Sequence, residues 1–296
     1  MADPLKHLLK HPLKRMRAMT AMTTPPLSLA QLVSLPSPPP ELLRLAAATG
    51  CTGVGLRLRP SAPGGPFHDL IGDPALLRQT QAVMRDTGVR VLDLEVLRLT
   101  PEVRIADFEP LLATGQALGA RHLLVSGEDG EPQRLRANFH ALCEAAAAHG
   151  LSADLEFMPW TAVSCLREAV AVLRDVDHPA AGLLVDALHL FRSDSPLDEL
   201  AQVPAHWLHY AQICDARRPA PTRTEDLIHD ARQDRLLPGE GDFPLADLLA
   251  LLPPTLPLSI EIPSVRRLQA LGAPAWAAQA AQAVCALLVR TGRAPG

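Results

Sequence analysis

From residue 23 onward the chain alternates short apolar runs with longer amphipathic stretches. The segments LSLAQLV (27–33), TGVGLR (52–57), RVLDLE (90–95), RHLLV (121–125), LSADLE (151–156), AGLLVD (181–186), WLHYAQI (207–213) and PLSIEI (257–262) have the length and the apolar runs of buried strands. Between them, near 40–48, 73–87, 107–118, 132–149, 162–175, 196–202, 243–251 and 272–291, Ala and Leu recur at helical spacing. Asp73-Pro74 and Ser195-Pro196 each set a capping side chain before a proline suited to the first helical turn, and Gly119 and Gly150 stand where helices end. Regular strand–helix alternation calls for parallel strands, because each return to the sheet must cross one of its faces. Eight such units in 296 residues predict an α/β fold, a closed (β/α)8 TIM barrel forming a single domain over residues 23–296.

The first 22 residues break the pattern. They carry Lys6, Lys10, Lys14, Arg15 and Arg17, and Pro12 interrupts the helical spacing of their leucines, so a disordered basic N-terminal arm is expected. The PSPPP run at 36–40 reads as a tight link into the first helix.

Composition narrows the function classes. A formal net charge of −4 argues against nucleic acid as a partner. No run of 18 apolar residues is free of charge or proline, so no membrane association is expected. The five cysteines are scattered with no CxxC pair, which suits reduced thiols and a cytoplasmic location. With aromatics at 3%, Leu, Ala and Val must fill the core. The PGEG at 238–241 lacks the Lys-Ser/Thr of a phosphate loop and reads as a turn, and Glu240 as a solvated turn residue.

The candidate chemistry sits at strand ends. The fifth strand ends on Glu156, the sixth on Asp186, the seventh contains Gln212 and the eighth ends at Glu261. One such residue alone would read as a helix cap or a surface charge. Four on successive strands converge on the face where parallel barrels carry their active sites. Three carboxylates crowded in an apolar mouth would raise each other's pKa, and a divalent cation relieves the conflict. All-oxygen ligands suit Mn2+ or Mg2+ better than a thiolate-seeking ion. His189 follows Asp186 by three residues and is placed to reach a substrate.

The stretches LEFMPW (155–160), LLVDALHLFRS (183–193), HYAQICDA (209–216), LLPGEGDFPLADLL (236–249) and LSIEIP (258–263) resemble the sugar phosphate isomerase/epimerase family with the xylose isomerase-like TIM barrel. The resemblance covers roughly residues 27–291. It implies a divalent-metal-dependent isomerase or epimerase of a small keto-sugar or polyol, working through an enediolate. A dehydratase or lyase of inosose or dehydroshikimate type shares the first step and is the alternative; a non-catalytic barrel with a degenerate site is a third. It further implies that Glu156 and Glu261 are metal ligands and the acid/base pair, and Asp186 a third ligand. Gln212 stands where the family usually has a histidine ligand. His189 and Arg217 (or Arg218) would bind substrate. Mn2+ is the metal implied first, with Mg2+, Co2+ or Zn2+ as alternatives, and a homo-oligomer is compatible with the family.

Overall fold

The computed structural model describes residues 24–62 and 64–294, so the basic arm expected over residues 1–22 lies outside the described residues. Eight parallel strands close into a barrel in sequence order. They are β1 (Leu27–Leu29), β2 (Gly53–Arg57), β3 (Arg90–Leu99), β4 (His122–Gly127), β5 (Ser152–Glu156), β6 (Ala181–Asp186), β7 (Ala211–Ile213) and β8 (Leu258–Ile260), with β8 paired back to β1 through Ser28 and Ser259. The single-domain TIM barrel predicted from the alternation is the observed fold.

The strands form because they bury both faces. Outward side chains such as Leu29, Val54, Leu123, Leu155, Leu183 and Ile260 are buried in one core shared with the surrounding helices. A separate small cluster of Leu124, Leu184 and Tyr210 fills the barrel interior. The rest of the interior is small or polar: Ser28, Gly55, Asp154, Gly182 and Ser259. Apolar packing therefore holds the barrel from outside, and its lumen is left free for chemistry.

The helices are α1 (Pro39–Ala48), α2 (Pro74–Thr87), α3 (Glu109–Leu118), α4 (Pro132–Ala148), α5 (Leu166–Val176), α6 (Ala187–Arg192), α7 (Leu197–Leu200), α8 (Thr224–Gln233), α9 (Leu245–Leu251), α10 (Val265–Leu271) and α11 (Ala273–Arg290). Asp73 caps α2 as expected, accepting from the Ala75 and Leu76 amides. Gly119 ends α3 at φ 63°, a left-handed conformation that costs glycine nothing.

Several elements differ from expectation. The first strand stops at Leu29, and residues 31–34 wind into a 3-10 turn held by the Gln31 side chain on the Ser34 and Ser37 carbonyls. Ser195 caps no helix: its hydroxyl instead accepts from the Leu166 amide and pairs with Ser193. The segment 187–192, to which the alternation assigns no element, is α6, nucleated when the Asp186 carboxylate accepts from the Leu188 and His189 amides at 2.6 and 3.1 Å. The charged stretch 217–237 contains the ten-residue helix α8.

The PGEG turn is a structural clamp. Asp215 is buried and accepts from the Ala216, Gly239 and Phe243 amides at 2.8, 2.8 and 3.1 Å. Gly241 lies so close that a Cβ there would meet Asp215 Oδ1 at 2.2 Å and the Ala216 backbone oxygen at 2.5 Å. Glu240 is tied to Arg267 at 2.7 Å and is not merely solvated. Gly241→Ala is expected to cost about 1–3 kcal/mol, the usual penalty for forced overpacking, in urea unfolding. A loss below about 0.5 kcal/mol, within the range of ordinary surface changes, would show the turn to be adaptable.

Candidate active site

The carboxyl ends of the strands bring four predicted residues together. Glu156 ends β5, Asp186 ends β6, Gln212 lies in β7 directly beside Asp186 in register, and Glu261 follows β8. All four are buried. Ligand atoms of Glu156, Asp186 and His189 lie within 4.8 Å of one another. Asp186 and Glu261 converge on a shared cation, Arg235, at 2.6 and 2.8 Å.

His189 is 3% exposed, with its Nε2 3.8 Å from Glu156 Oε1 and its ring edge-on to Trp160. Burial pushes its pKa down to about 4, against the pull of Asp186, so the imidazole is neutral near pH 7. Trp160 lines the cavity, whereas Phe157 belongs to the core between barrel and helices. The cavity encloses about 60 Å³, about the space of two waters.

Electrostatics set the acids apart. Burial and the charges of Asp186 and Glu261 hold Glu156 well above the usual carboxylate range. Burial also raises Glu261, more than Arg235 can offset. Burial acts on Asp186 in the same direction, but Arg235 overcomes it and keeps this carboxyl below its ordinary value. Asp186 is thereby the permanently ionised member of the group.

Three residues of the site were not singled out in the sequence. Arg235 is 2% exposed and is held by its Nε on the Ala231 carbonyl and by its backbone amide on Pro263. Nothing in DARQDRLLPGEG marks it among its charged neighbours. Arg57 and Glu95, at the ends of the second and third predicted strands, form a buried pair at 2.7 Å and line the same cavity. The strand-end rule that found Glu156 would have found them. Arg217 is the opposite case: its side chain is 70% exposed and faces Asp242 at 3.9 Å, away from the cavity, while its carbonyl accepts from Arg192. Arg218 likewise points outward, over the Phe191 ring. The loop after β7 turns both arginines away, and the guanidinium that enters the site comes from beyond α8.

The residues present fit a divalent cation. Glu95, Glu156, Asp186 and Glu261 face two buried guanidiniums, Arg57 and Arg235, so that with all four ionised two carboxylate charges lack a buried counter-ion. Glu156 Oε1, Gln212 Oε1 and His189 Nδ1 are buried with no hydrogen-bond partner. Unpartnered oxygens beside uncompensated charge are the donor set a hard or intermediate cation satisfies.

The sequence profile of the xylose isomerase-like TIM barrel family matches residues 43–287. The chain belongs to this family. A 3-dehydroshikimate dehydratase of Pseudomonas aeruginosa is 27% identical over 231 residues, which is 74% of this chain but only 34% of that protein. The chain thus spans about a third of that relative's length. A xylose isomerase-like TIM barrel/4-hydroxyphenylpyruvate dioxygenase fusion protein superposes with a TM-score of 0.76 at 24% identity, over 91% of this chain and 43% of that one. The IOLI protein with a bound zinc atom superposes with a TM-score of 0.72 at 19% identity, over 90% of this chain and 97% of that one. At these identities the two structures speak for the barrel alone. No described helix of this family member is long and apolar enough to cross a membrane.

Proposed function

We propose that this barrel, with a divalent cation bound, removes a proton beside the carbonyl of a small hydroxy-ketone and then expels water. The observation that carries the reading is the convergence of buried Glu156, Asp186, Gln212 and Glu261 on one strand-end site, in which Glu156 Oε1 and Gln212 Oε1 have no hydrogen-bond partner. Two buried glutamates on one substrate can divide the work, one ionised to accept a proton and the other protonated to give one. Glu156, Asp186, Gln212 and Glu261 would hold the cation, which when bound supplies Lewis-acid stabilisation of negative charge on the substrate oxygen.

One glutamate takes the proton from the carbon beside the carbonyl, and the freed electron pair shifts onto the carbonyl oxygen. As that pair returns, the carbon–carbon double bond forms and the β-hydroxyl leaves. The other glutamate gives its proton to the departing oxygen, so the products are an enone and water. Positioned acid/base groups of this kind contribute about 10²–10⁴-fold. Neutral His189 offers its ring nitrogen to a substrate hydroxyl, and Trp160 keeps water from the reacting carbons. The small cavity requires its wall at α8, which contributes Ala231 and Arg232, to yield when substrate is admitted.

Elimination is favoured over isomerisation of a neutral keto-sugar by Arg232. Arg232 lines the cavity mouth near Arg57, Arg98 and Glu128, and makes no ion pair within 4 Å among the described residues. An unpaired cation there suits a carboxylate-bearing substrate, as the relative named for dehydroshikimate would use. Isomerisation or epimerisation begins with the same proton removal and ends with the proton returned to carbon, without loss of mass.

The test incubates the metal-loaded chain with 3-dehydroshikimate and, separately, with neutral ketohexoses, and reads product mass. Loss of water from the carboxylate substrate is expected, with Arg232→Ala raising KM roughly tenfold, the worth of one charged hydrogen bond, at little cost to kcat. An isomer formed only from the neutral sugar would replace the dehydratase reading by the isomerase one. No turnover of either, with no metal taken up, would sink both.

A further inference from the structure

The barrel holds a second convergent set of ligand-type side chains, one layer below the first. Asp154 precedes Glu156 by two residues on β5 and so shares its face. His209 Nδ1 meets Asp154 Oδ1 at 2.6 Å, and His122 Nδ1 lies 3.4 Å from the other carboxylate oxygen and is joined to it through Ser152, whose hydroxyl is 2.7 Å from His122 Nδ1 and donates to Asp154 Oδ2 at 2.6 Å. The ligand atoms of His122, Asp154 and His209 fall within 4.8 Å of one another. We infer that this trio is a separate divalent-cation site, of the nitrogen-and-oxygen kind that takes Zn2+ or Co2+.

Four observations carry the assignment. The imidazoles are pre-set: His122 and His209 stack with ring centres 5.4 Å apart, and His122 also stacks on Tyr210 at 5.2 Å. Gly182 makes room for the trio itself, since a Cβ there would stand 2.1 Å from Asp154 Oδ1 and 2.5 Å from His209 Nδ1. Two buried polar atoms in the same interior, Asp93 Oδ1 and Tyr210 Oη, have no hydrogen-bond partner, and Asp93 lies near enough to Asp154 for their charges to act on each other. The trio is reachable, because a cavity of about 1320 Å³ lined by His122, Ser152 and His209 opens at the amino-terminal mouth.

The chemistry matches the donors. Zn2+ takes neutral imidazole and carboxylate at about 2.0–2.2 Å, which asks for ligand atoms roughly 3–3.5 Å apart, a small adjustment of the present spacing. The mixed set differs from the oxygen-rich group above it, so the two sites would rank metals differently.

The experiment uses the full chain, stripped with chelator and titrated with Zn2+, with bound metal counted by elemental analysis. Wild type is expected to bind two equivalents, Glu261→Gln one, and His122→Gln/His209→Gln one. One equivalent in wild type that persists in the double histidine variant would overturn the inference. One equivalent lost in the histidine variant but kept in Glu261→Gln would uphold it while removing the metal from the proposed reaction. Diethylpyrocarbonate labelling of the Glu261→Gln chain gives a reading that does not depend on the folding of the histidine variant. Zn2+ is expected to protect His122 and His209 at least tenfold, whereas equal labelling with and without Zn2+ would show a hydrogen-bonded triad and no site.

Discussion

Glu261→Gln is expected to lower kcat/KM by about 10²–10⁴-fold, the usual contribution of a positioned acid/base group, and to release the cation of the carboxyl-terminal site. The amide keeps the shape and an acceptor oxygen for Arg235, which donates to Glu261 at 2.8 Å in the native site. It removes one ligand charge and the only proton that Glu261 can exchange. Thermal unfolding should therefore move little while turnover collapses, which separates a chemical from a structural role. Glu156→Gln should behave alike, since Glu156 is equally buried and is also held above the usual carboxylate range. Activity within tenfold of wild type for either variant would remove the acid/base pair from the mechanism.

Arg235→Met should produce the largest change in stability. The guanidinium is 2% exposed and bridges Asp186 and Glu261. Removing one partner of a buried ion pair strands charge in a low-dielectric interior, at a cost of roughly 3–5 kcal/mol. Asp186 suffers most, because Arg235 is what holds its carboxyl below the ordinary value. Its ionised form contributes stability above the unfolded pKa and loses it as pH falls. With Arg235 gone, the acid limb of the unfolding curve should shift to higher pH. Added Zn2+ or Mn2+ should raise the variant's Tm more than the wild type's, since a cation then replaces the lost charge. A loss under about 1 kcal/mol would mean that water already screens the cluster.

Much of the site was legible because its signal is local. A parallel strand in a barrel ends at the active face, and side chains two apart share a side, so a charged residue closing an apolar run is marked by position alone. Glu156, Asp186, Gln212 and Glu261 announce themselves in this way, as do Arg57 and Glu95, whose partnership the strand-end pattern does not reveal. His189 was legible because Asp186 caps the helix that carries it, which brings the histidine into the barrel mouth. Arg217 misled because sequence distance from β7 says nothing about which way a loop turns. Here Arg192 takes the Arg217 carbonyl and binds Asp230 of α8 at 2.5 Å, and the Arg217 side chain is left in solvent.

By itself the sequence determined the parallel barrel and the convergence of its oxygen-bearing strand-end side chains, since hydrophobic period, strand number and strand ends suffice for both. The tertiary structure alone decided the charge balance. Arg235 reaches Asp186 across 49 residues of sequence, and only after α8 has folded and the segment behind it has paired with Asp215 and Pro263. His122 of β4, Asp154 of β5 and His209, two residues before β7, likewise meet only when the barrel closes. Ion pairs and ligand sets of this range depend on where loops and strands arrive in space, and no periodicity along the chain encodes that.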